Sequence, residues 1–404
     1  VWRRAVALVN ARVALDGGVA SCIRFSSRIL GIDSPLEPSD FVVDVQGAFV
    51  LPGLVNAHDH LELNHFGRVK FRDTYENASS WIDDMRPKLE EDPRIREGRA
   101  HPLRDRLLIG GLKNLLSGVT TVSHHNPFYR ELGRGFPVRV VRRYGWAHSF
   151  FLEGGPVGAE GERGPEIESA FRKTPRDAPF LVHLAEGFDA SARRELPRLR
   201  ELGCLGANTV LVHGVGLSPK EWTLVCGAGA GLVWCPSSNR FLLGRTAPID
   251  AFLEVEPRSR SSIALGTDSR LSGARDLLEE LREARDAGSV GPEELFRMVT
   301  SNAAGLLKLP EAGRIAPRLP ADLLVIPPIG RSPAEALLGL ERSRIRLVMV
   351  GGRPLVGAPE LSSVFAARRV AAVPVNLDGE ARLLDGTLAR RIRASSLAEP
   401  GLEL

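Results

Sequence analysis

Two histidines one residue apart close the apolar run Leu51-Pro-Gly-Leu-Val-Asn-Ala-His-Asp-His60. On a strand, side chains alternate between faces, so His58 and His60 point the same way. Neutral imidazole is the commonest metal ligand, and a catalytic zinc keeps about three protein ligands and one open position for water. A His-x-His pair at a strand's end is therefore half of a metal site. Other ionisable groups also stand at the ends of apolar runs. His183 closes Phe180-Leu-Val-His183 with Glu186 three residues on, His213 closes Thr209-Val-Leu-Val-His213, and Asp268 closes Ser262-Ile-Ala-Leu-Gly-Thr-Asp268. Singly, each has an ordinary reading. His183 or His213 could be a satisfied core histidine, Asp268 a helix cap, Glu186 a solvated carboxylate and His-x-His a loop accident. Jointly, all at apolar strand ends, they describe one centre.

The elements that must position these groups are strands alternating with helical stretches from about residue 51 onward, the signature of β/α units. After His60 comes a charged excursion, residues 61–100, with Trp81 and Lys88-Leu-Glu-Glu-Asp-Pro. It leads into a helix, Leu103 to Leu116, ended by Ser117-Gly118, and then a strand Val119-Thr-Thr-Val-Ser-His-His125. Further strands are expected at Val138 to Trp146 and Gly231 to Cys235, besides those ending in His183, His213 and Asp268. In a (β/α)8 barrel the active site lies where the strands end.

Both chain ends are rich in short β runs. Ala5 to Leu15, Ser21 to Phe25, Arg28 to Ile32 and Phe41 to Val45 precede the His-x-His strand, and runs from Ala321, Ile345 and Val370 follow the last helices. Three or four short strands cannot bury both faces alone, so the two ends are expected to pair with each other. The N-terminal run from Val1 reads as a strand rather than a signal peptide, because Asn10 and Arg12 interrupt its apolar stretch. The expected organisation is an N-terminal β part over residues 1–50, a barrel over 51–309, and a C-terminal β part with a tail over 310–404. The tail after Leu384 reads as a short basic surface helix.

Composition excludes several classes. With 43% hydrophobic and 25% charged residues, the 404-residue chain has the balance of a soluble globular protein. A net charge of +4 without a Lys/Arg block gives no footprint for nucleic acid. No stretch reaches the roughly 18 to 20 apolar residues of a membrane helix. Cys22, Cys204, Cys226 and Cys235 form no C-x-x-C pair and read as reduced thiols of a cytoplasmic protein.

The strand-end set, together with Pro52-Gly53, Gly118-Val-Thr-Thr-Val, Cys235-Pro-Ser-Ser-Asn239, Leu265-Gly-Thr-Asp268-Ser, Thr300-Ser-Asn-Ala-Ala and Ala321-Asp-Leu, resembles the amidohydrolase superfamily. The similarity runs from about residue 5 to 355. Within the superfamily it is nearest to the cytosine, guanine and S-adenosylhomocysteine deaminases and the chlorotriazine hydrolases. The resemblance implies a (β/α)8 barrel with a β-sandwich assembled from both termini. It makes His58, His60, His183 and Asp268 the ligands of one divalent metal, Zn²⁺ by preference and Fe²⁺ as the alternative, a donor set that chemistry also favours. Binuclear relatives bridge two metals with a carboxylated lysine, for which this chain has no lysine at a strand end. The metal lowers the pKa of water toward about 7 and so supplies hydroxide.

By the same resemblance Asp268 takes the proton of the attacking hydroxide's water and Glu186 shuttles protons to a ring nitrogen and the leaving ammonia. His213 polarises the attacked group or holds the water. The implied reaction is hydrolytic deamination of an amino-substituted heterocycle, a small molecule; the alternatives are a cyclic amide or C–halogen hydrolase and a non-catalytic binding relative. Family members are often oligomers, so a homo-oligomer is expected by analogy. His124, His125 and His148 are candidate substrate contacts, the first two alternatively standing behind the metal's ligands. His65 and His101 read as solvated. Between the second strand and His148 there is room for one short helix at most, so an abbreviated third β/α unit is expected, with Val138 to Trp146 as strand three or four.

Overall fold

The computed structural model describes residues 4–15, 17–157, 162–256, 259–288 and 290–404. Among them, eight parallel strands carry the strand-end groups. They are β1 (Leu54–Asp59), β2 (Val119–His124), β3 (Arg139–Val140), β4 (Gly145–Ala147), β5 (Phe180–Leu184), β6 (Thr209–His213), β7 (Gly231–Trp234) and β8 (Ile263–Leu265). Hydrogen bonds join them into a sheet of three, β3-β2-β1, and a sheet of five, β4-β5-β6-β7-β8. The register is parallel throughout, with Phe180 opposite Thr209 and Leu232 opposite Ile263. Strands buried on both faces need continuous apolar runs rather than alternation, and β5, β6 and β7 are buried along their whole length.

Helices cover the outer faces, including α1 (Ala78–Glu91), α2 (Leu103–Leu116), α3 (Ala190–Glu201), α4 (Pro236–Leu243) and α5 (Leu277–Ala287). The helix α2 spans the residues expected of it and stops at Gly118, whose φ of +84° suits a residue without a Cβ. The excursion after His60 is more ordered than its charge implied: it contains α1 and a second helix, Pro93–Ala100. Asn77 caps α1 by accepting from Ser80 N, and Asp189 caps α3 by accepting from Ala192 N.

The third β/α unit is abbreviated. Between β2 and β3 the chain makes one 3-10 turn, Arg130–Leu132, and between β3 and β4 no helix intervenes. Val138 to Trp146, expected to be one strand, supplies both, because residues 141–144 turn the chain from one sheet to the other.

The two chain ends meet. A sheet of nine strands joins Arg12–Leu15, Gly18–Ala20 and Phe49–Pro52 to Leu323–Ile326 and the strands that follow, and a sheet of four holds Val6–Val9, Ile23–Phe25, Ile29–Ile32 and Phe41–Asp44. Phe49 pairs with Ile326 and Pro52 with Leu323. Val6, Phe25, Val50, Leu323, Met349 and Phe365 share one apolar cluster between these sheets. The run Ala5 to Leu15, expected as one strand, breaks at Asn10, whose φ is +49°; Val1 to Arg3 of the same run lie outside the described residues. The tail forms a helix, α6 (Gly386–Arg393), with Leu388, Ala389 and Ile392 buried and its arginines on the other faces.

Candidate active site

The three histidines and Asp268 converge at the C-terminal ends of the parallel strands. His58 Nε2 and His60 Nε2 each lie 3.3 Å from His183 Nε2, and they lie 3.8 and 3.7 Å from Asp268 Oδ1. Four donors held about 2.1 Å from one ion in a tetrahedron stand about 3.4 Å apart, so these spacings fit a zinc-sized cation. Among the described residues two triads have donor atoms all within 4.8 Å of one another, His58 with His60 and Asp268, and His58 with His125 and His183.

The imidazole edges facing away from this point are tied down. His183 Nδ1 lies 3.0 Å from the His148 carbonyl, and His125 Nε2 lies 2.9 Å from the Ala147 carbonyl. With its Nε2 proton donated, His125 can only accept at Nδ1, 3.2 Å from His58 Nδ1. His58 therefore carries its proton on Nδ1 and leaves Nε2 free to bind. Burial, followed by the neighbouring imidazoles, holds His60, His125 and His183 well below the ordinary histidine range, so they are neutral, the ligand form. Burial raises Asp268, but His58, His60 and His213 outweigh it and keep the carboxylate well below its usual value. Its other oxygen, Oδ2, accepts 2.7 Å hydrogen bonds from Ser238 and Ser272.

Backbone strain gathers here. Ala185, just past β5, His213, the last residue of β6, and Asp268, past β8, have φ of +53°, +76° and +51°. Non-glycine residues in this region cost free energy and cluster at functional sites. Asp268 N donates to the His58 carbonyl at 3.2 Å, which ties the end of β8 to β1.

Beside the donors lies a cavity of about 200 Å³, lined by His60, His148, His183, Glu186, His213 and Asp268 among others. Glu186 is 17% exposed, and its Oε2 stands 3.5 Å from His213 Nε2. Burial, then the charges of Asp268 and Glu195, push its carboxyl well above the usual range. His213 Nδ1 donates to Asn239 Oδ1 at 2.8 Å, while Asn239 Nδ2 donates to Thr246. That leaves His213 Nε2 as an acceptor facing the cavity, and burial lowers its pKa to about 4.

His148, a candidate substrate contact, lines the cavity. His124 and His125 do not: both are fully buried, His125 against His58 and His183, and His124 with Nδ1 3.7 Å from Glu62 Oε2. His65 and His101, expected to be solvated, are half-buried. His65 Nε2 lies 3.0 Å from the Gly98 carbonyl and burial lowers its pKa to about 4; His101 Nδ1 lies 2.9 Å from Ser396 Oγ.

Sequence reasoning missed Glu62, Asn126 and Glu195. All three line the cavity. Asn126 Nδ2 donates to Glu62 and its Oδ1 lies 2.8 Å from His148 Nε2. Burial raises Glu62 and Glu195 to about 7 each. Glu62 falls two residues after His60, a spacing that on an extended strand would have been its one signal.

A family model described as the amidohydrolase family matches residues 180–355, which contain His183, Glu186, His213 and Asp268. Over these residues the chain is similar to the amidohydrolase family. The chain is 24% identical to the 5-methylthioadenosine/S-adenosylhomocysteine deaminase of Natronomonas pharaonis over 378 residues, covering 81% of this chain and 86% of the relative. In fold it is similar to the zinc-complexed atrazine chlorohydrolase of Arthrobacter aurescens, with a TM-score of 0.70 at 20% identity over 90% of this chain and 99% of the other. It is likewise similar to an adenosine deaminase of Xanthomonas campestris with bound zinc, with a TM-score of 0.67 at 18% identity over 96% and 98%. The donor spacing above fits a metal ion of the kind those two structures hold. Among the described residues, no helix is long and apolar enough to cross a membrane.

Proposed function

We propose that this protein deaminates an amino-substituted nitrogen heterocycle, using water and one divalent cation, zinc by preference, held by His58, His60, His183 and Asp268. The observation that carries the reading is Glu186, a carboxyl whose ionisation is disfavoured by burial and by the charges of Asp268 and Glu195, in the wall of a cavity that adjoins the donor set. The cation supplies Lewis acidity and brings the pKa of a water toward about 7. Binding through His60 Nε2 needs the proton on Nδ1, which faces Asn126 Nδ2 at 3.4 Å, and so needs the Asn126 amide flipped from the orientation in which it donates to Glu62.

The protein groups then divide the proton work. An amidine carbon is a poor electrophile until the neighbouring ring nitrogen is protonated, and Glu186 donates that proton. His213 Nε2, an acceptor, holds the attacking water rather than polarising the attacked group. Asp268, with Oδ2 fixed by two serines, receives the proton the water gives up. Glu186, now ionised, takes the hydroxyl proton of the adduct and passes a proton to the exocyclic amine, the C–N bond breaks, and ammonia leaves as the ring carbon gains a C=O, after which the proton held by Asp268 restores Glu186 to its acid form. Overall, R–NH₂ and water become the oxo heterocycle and NH₃. His124 and His125 stand behind the ligands and set their orientation.

The same reading takes the eight parallel strands as a closed (β/α)8 barrel over residues 51–309, supported by the Asp268–His58 backbone bond. It takes the terminal sheets, from 1–50 and 310–404, as a sandwich, supported by their shared apolar cluster. Zinc-loaded protein tested on aminopurines, aminopyrimidines, pterins and triazines should release ammonia from at least one member. Ring opening with the nitrogen retained would mark a cyclic amide hydrolase, and release from none would refute the proposal.

A further inference from the structure

His60 Nε2 and Asp268 Oδ1 stand 3.7 Å apart on two separate loops, and one side chain bridges those loops. Arg270, two residues past Asp268, donates through its backbone N to Asn64 Oδ1 at 3.1 Å and through Nη1 to the Asn64 carbonyl at 3.4 Å. Asn64 Nδ2 in turn donates to the His60 carbonyl at 3.1 Å and to Asp59 Oδ1 at 2.7 Å. The loop after Asp268 also bears Ser272, which donates to Asp268 Oδ2, and Ser269 and Leu271, which line the cavity.

Arg270 is 8% exposed, and a guanidinium buried that far is costly unless a carboxylate faces it. Among the described residues its carboxylate partner comes from far along the chain. Glu399, itself 2% exposed, accepts from Arg270 Nη1 at 2.9 Å and from Nη2 at 2.7 Å, a two-pronged pair. Glu399 also accepts from Arg342 Nη1 at 2.7 Å. Arg342 has a second carboxylate, Asp378, at 2.7 and 3.0 Å; Arg270 has none among the described residues.

The segment bearing Glu399 is pinned on both sides. Ser396 donates through N and Oγ to Asp105 of α2 at 3.0 and 2.9 Å. Leu402 and Glu403 pair with Leu377 and Asn376 of the nine-stranded sheet. Glu399 thus sits on a strap held at α2 and at the terminal sheet, with its carboxylate turned onto Arg270. We propose, granting the reading of His60 and Asp268 as metal ligands, that Glu399 is a positioning residue: through Arg270 and Asn64 it fixes the spacing of the two ligand loops and so sets how tightly the site holds its cation.

The test compares Glu399→Gln, Arg270→Met and the two together, with Asp378→Asn as a control that unpairs Arg342 and Arg275 but leaves Arg270 its carboxylate. Zinc affinity is read by competitive chelator titration, and amide hydrogen exchange is read on the metal-free proteins. Glu399→Gln should weaken zinc about 10–100-fold, the usual worth of a group that orients a ligand. It should also speed exchange tenfold or more at Leu63, Asp268, Arg270 and Ser272, whose amides are hydrogen-bonded at these loops. Asp378→Asn should leave both readouts near the parent. Added to Arg270→Met, Glu399→Gln should weaken zinc less than about threefold further, because groups acting in series do not add. Arg270→Lys keeps the buried charge and loses the two-pronged pairing; it serves if Glu399→Gln does not fold, and should weaken zinc about threefold or more. A merely structural role would make Asp378→Asn match Glu399→Gln or make the two losses multiply, and either result overturns the inference, as does parent-like exchange at the four amides. If the parent binds no zinc, faster exchange there upholds the clasp and overturns only the metal reading.

Discussion

Lys113 Nζ lies 3.3 Å from Asp59 Oδ2, with both side chains fully buried, and also donates to the Asp268 carbonyl at 3.2 Å. The ammonium further reaches Asn64 Oδ1 and Thr267 Oγ1 at 2.8 and 2.9 Å. Burial lowers the Lys113 pKa, and the Asp59 charge opposes that shift. The pair thus joins α2 to the ends of β1 and β8, beneath the residues expected to bind metal. Removing one partner strands a buried charge, so Lys113→Met should cost about 3–5 kcal/mol in urea unfolding. Lys113→Met with Asp59→Leu should recover much of that loss while metal affinity stays reduced, because Asp268 loses its backbone tie.

Glu186→Gln keeps the side chain's volume and removes its proton. Ammonia release should fall by about 10²–10⁴-fold, the usual worth of a general acid, with metal content by elemental analysis unchanged. Full turnover in this variant would take the proton shuttle away from Glu186.

Gly266 follows β8, and a Cβ there would stand 2.6 Å from His58 Cβ and 2.7 Å from Val233 Cγ1. Both neighbours are buried and cannot yield freely. Gly266→Ala should therefore destabilise by about 1–3 kcal/mol, as overpacking does, and displace His58, weakening zinc in a competitive chelator titration.

Glu280, fully buried on α5, accepts from Ser237 N at 3.0 Å, and burial raises its pKa to about 8. The unfolded carboxyl ionises near its ordinary 4.5, so above that pH the unfolded chain has released a proton that the folded one retains. The contribution to stability is whole below that value and lost as pH rises through about 8. Glu280→Gln keeps an acceptor for Ser237 N and cannot ionise. Its melting temperature relative to the parent should climb from about pH 5 to about pH 8; a constant difference would contradict the raised pKa.

The centre was legible because its residues stand at strand ends, where an apolar run stops at an ionisable group. Helix α2 was legible to the residue, framed by Pro102 ahead and Ser117-Gly118 behind. What escaped has no periodic mark. Lys113 sits mid-helix like any solvated lysine and becomes a buried cation only because Asp59, 54 positions earlier, faces it. Glu62 and Asn126 lie on a turn and a loop, and Glu195 on a helix whose neighbours in sequence are charged. His65 and His101 looked solvated in a charged stretch until the folding of that stretch into helices covered them.

Anomalous diffraction from crystals of the zinc-loaded protein tests the central claim most directly. The account predicts one zinc per chain, about 2.0–2.2 Å from His58 Nε2, His60 Nε2, His183 Nε2 and Asp268 Oδ1. A peak bonded elsewhere, or those four atoms turned away from any common ion, would contradict it.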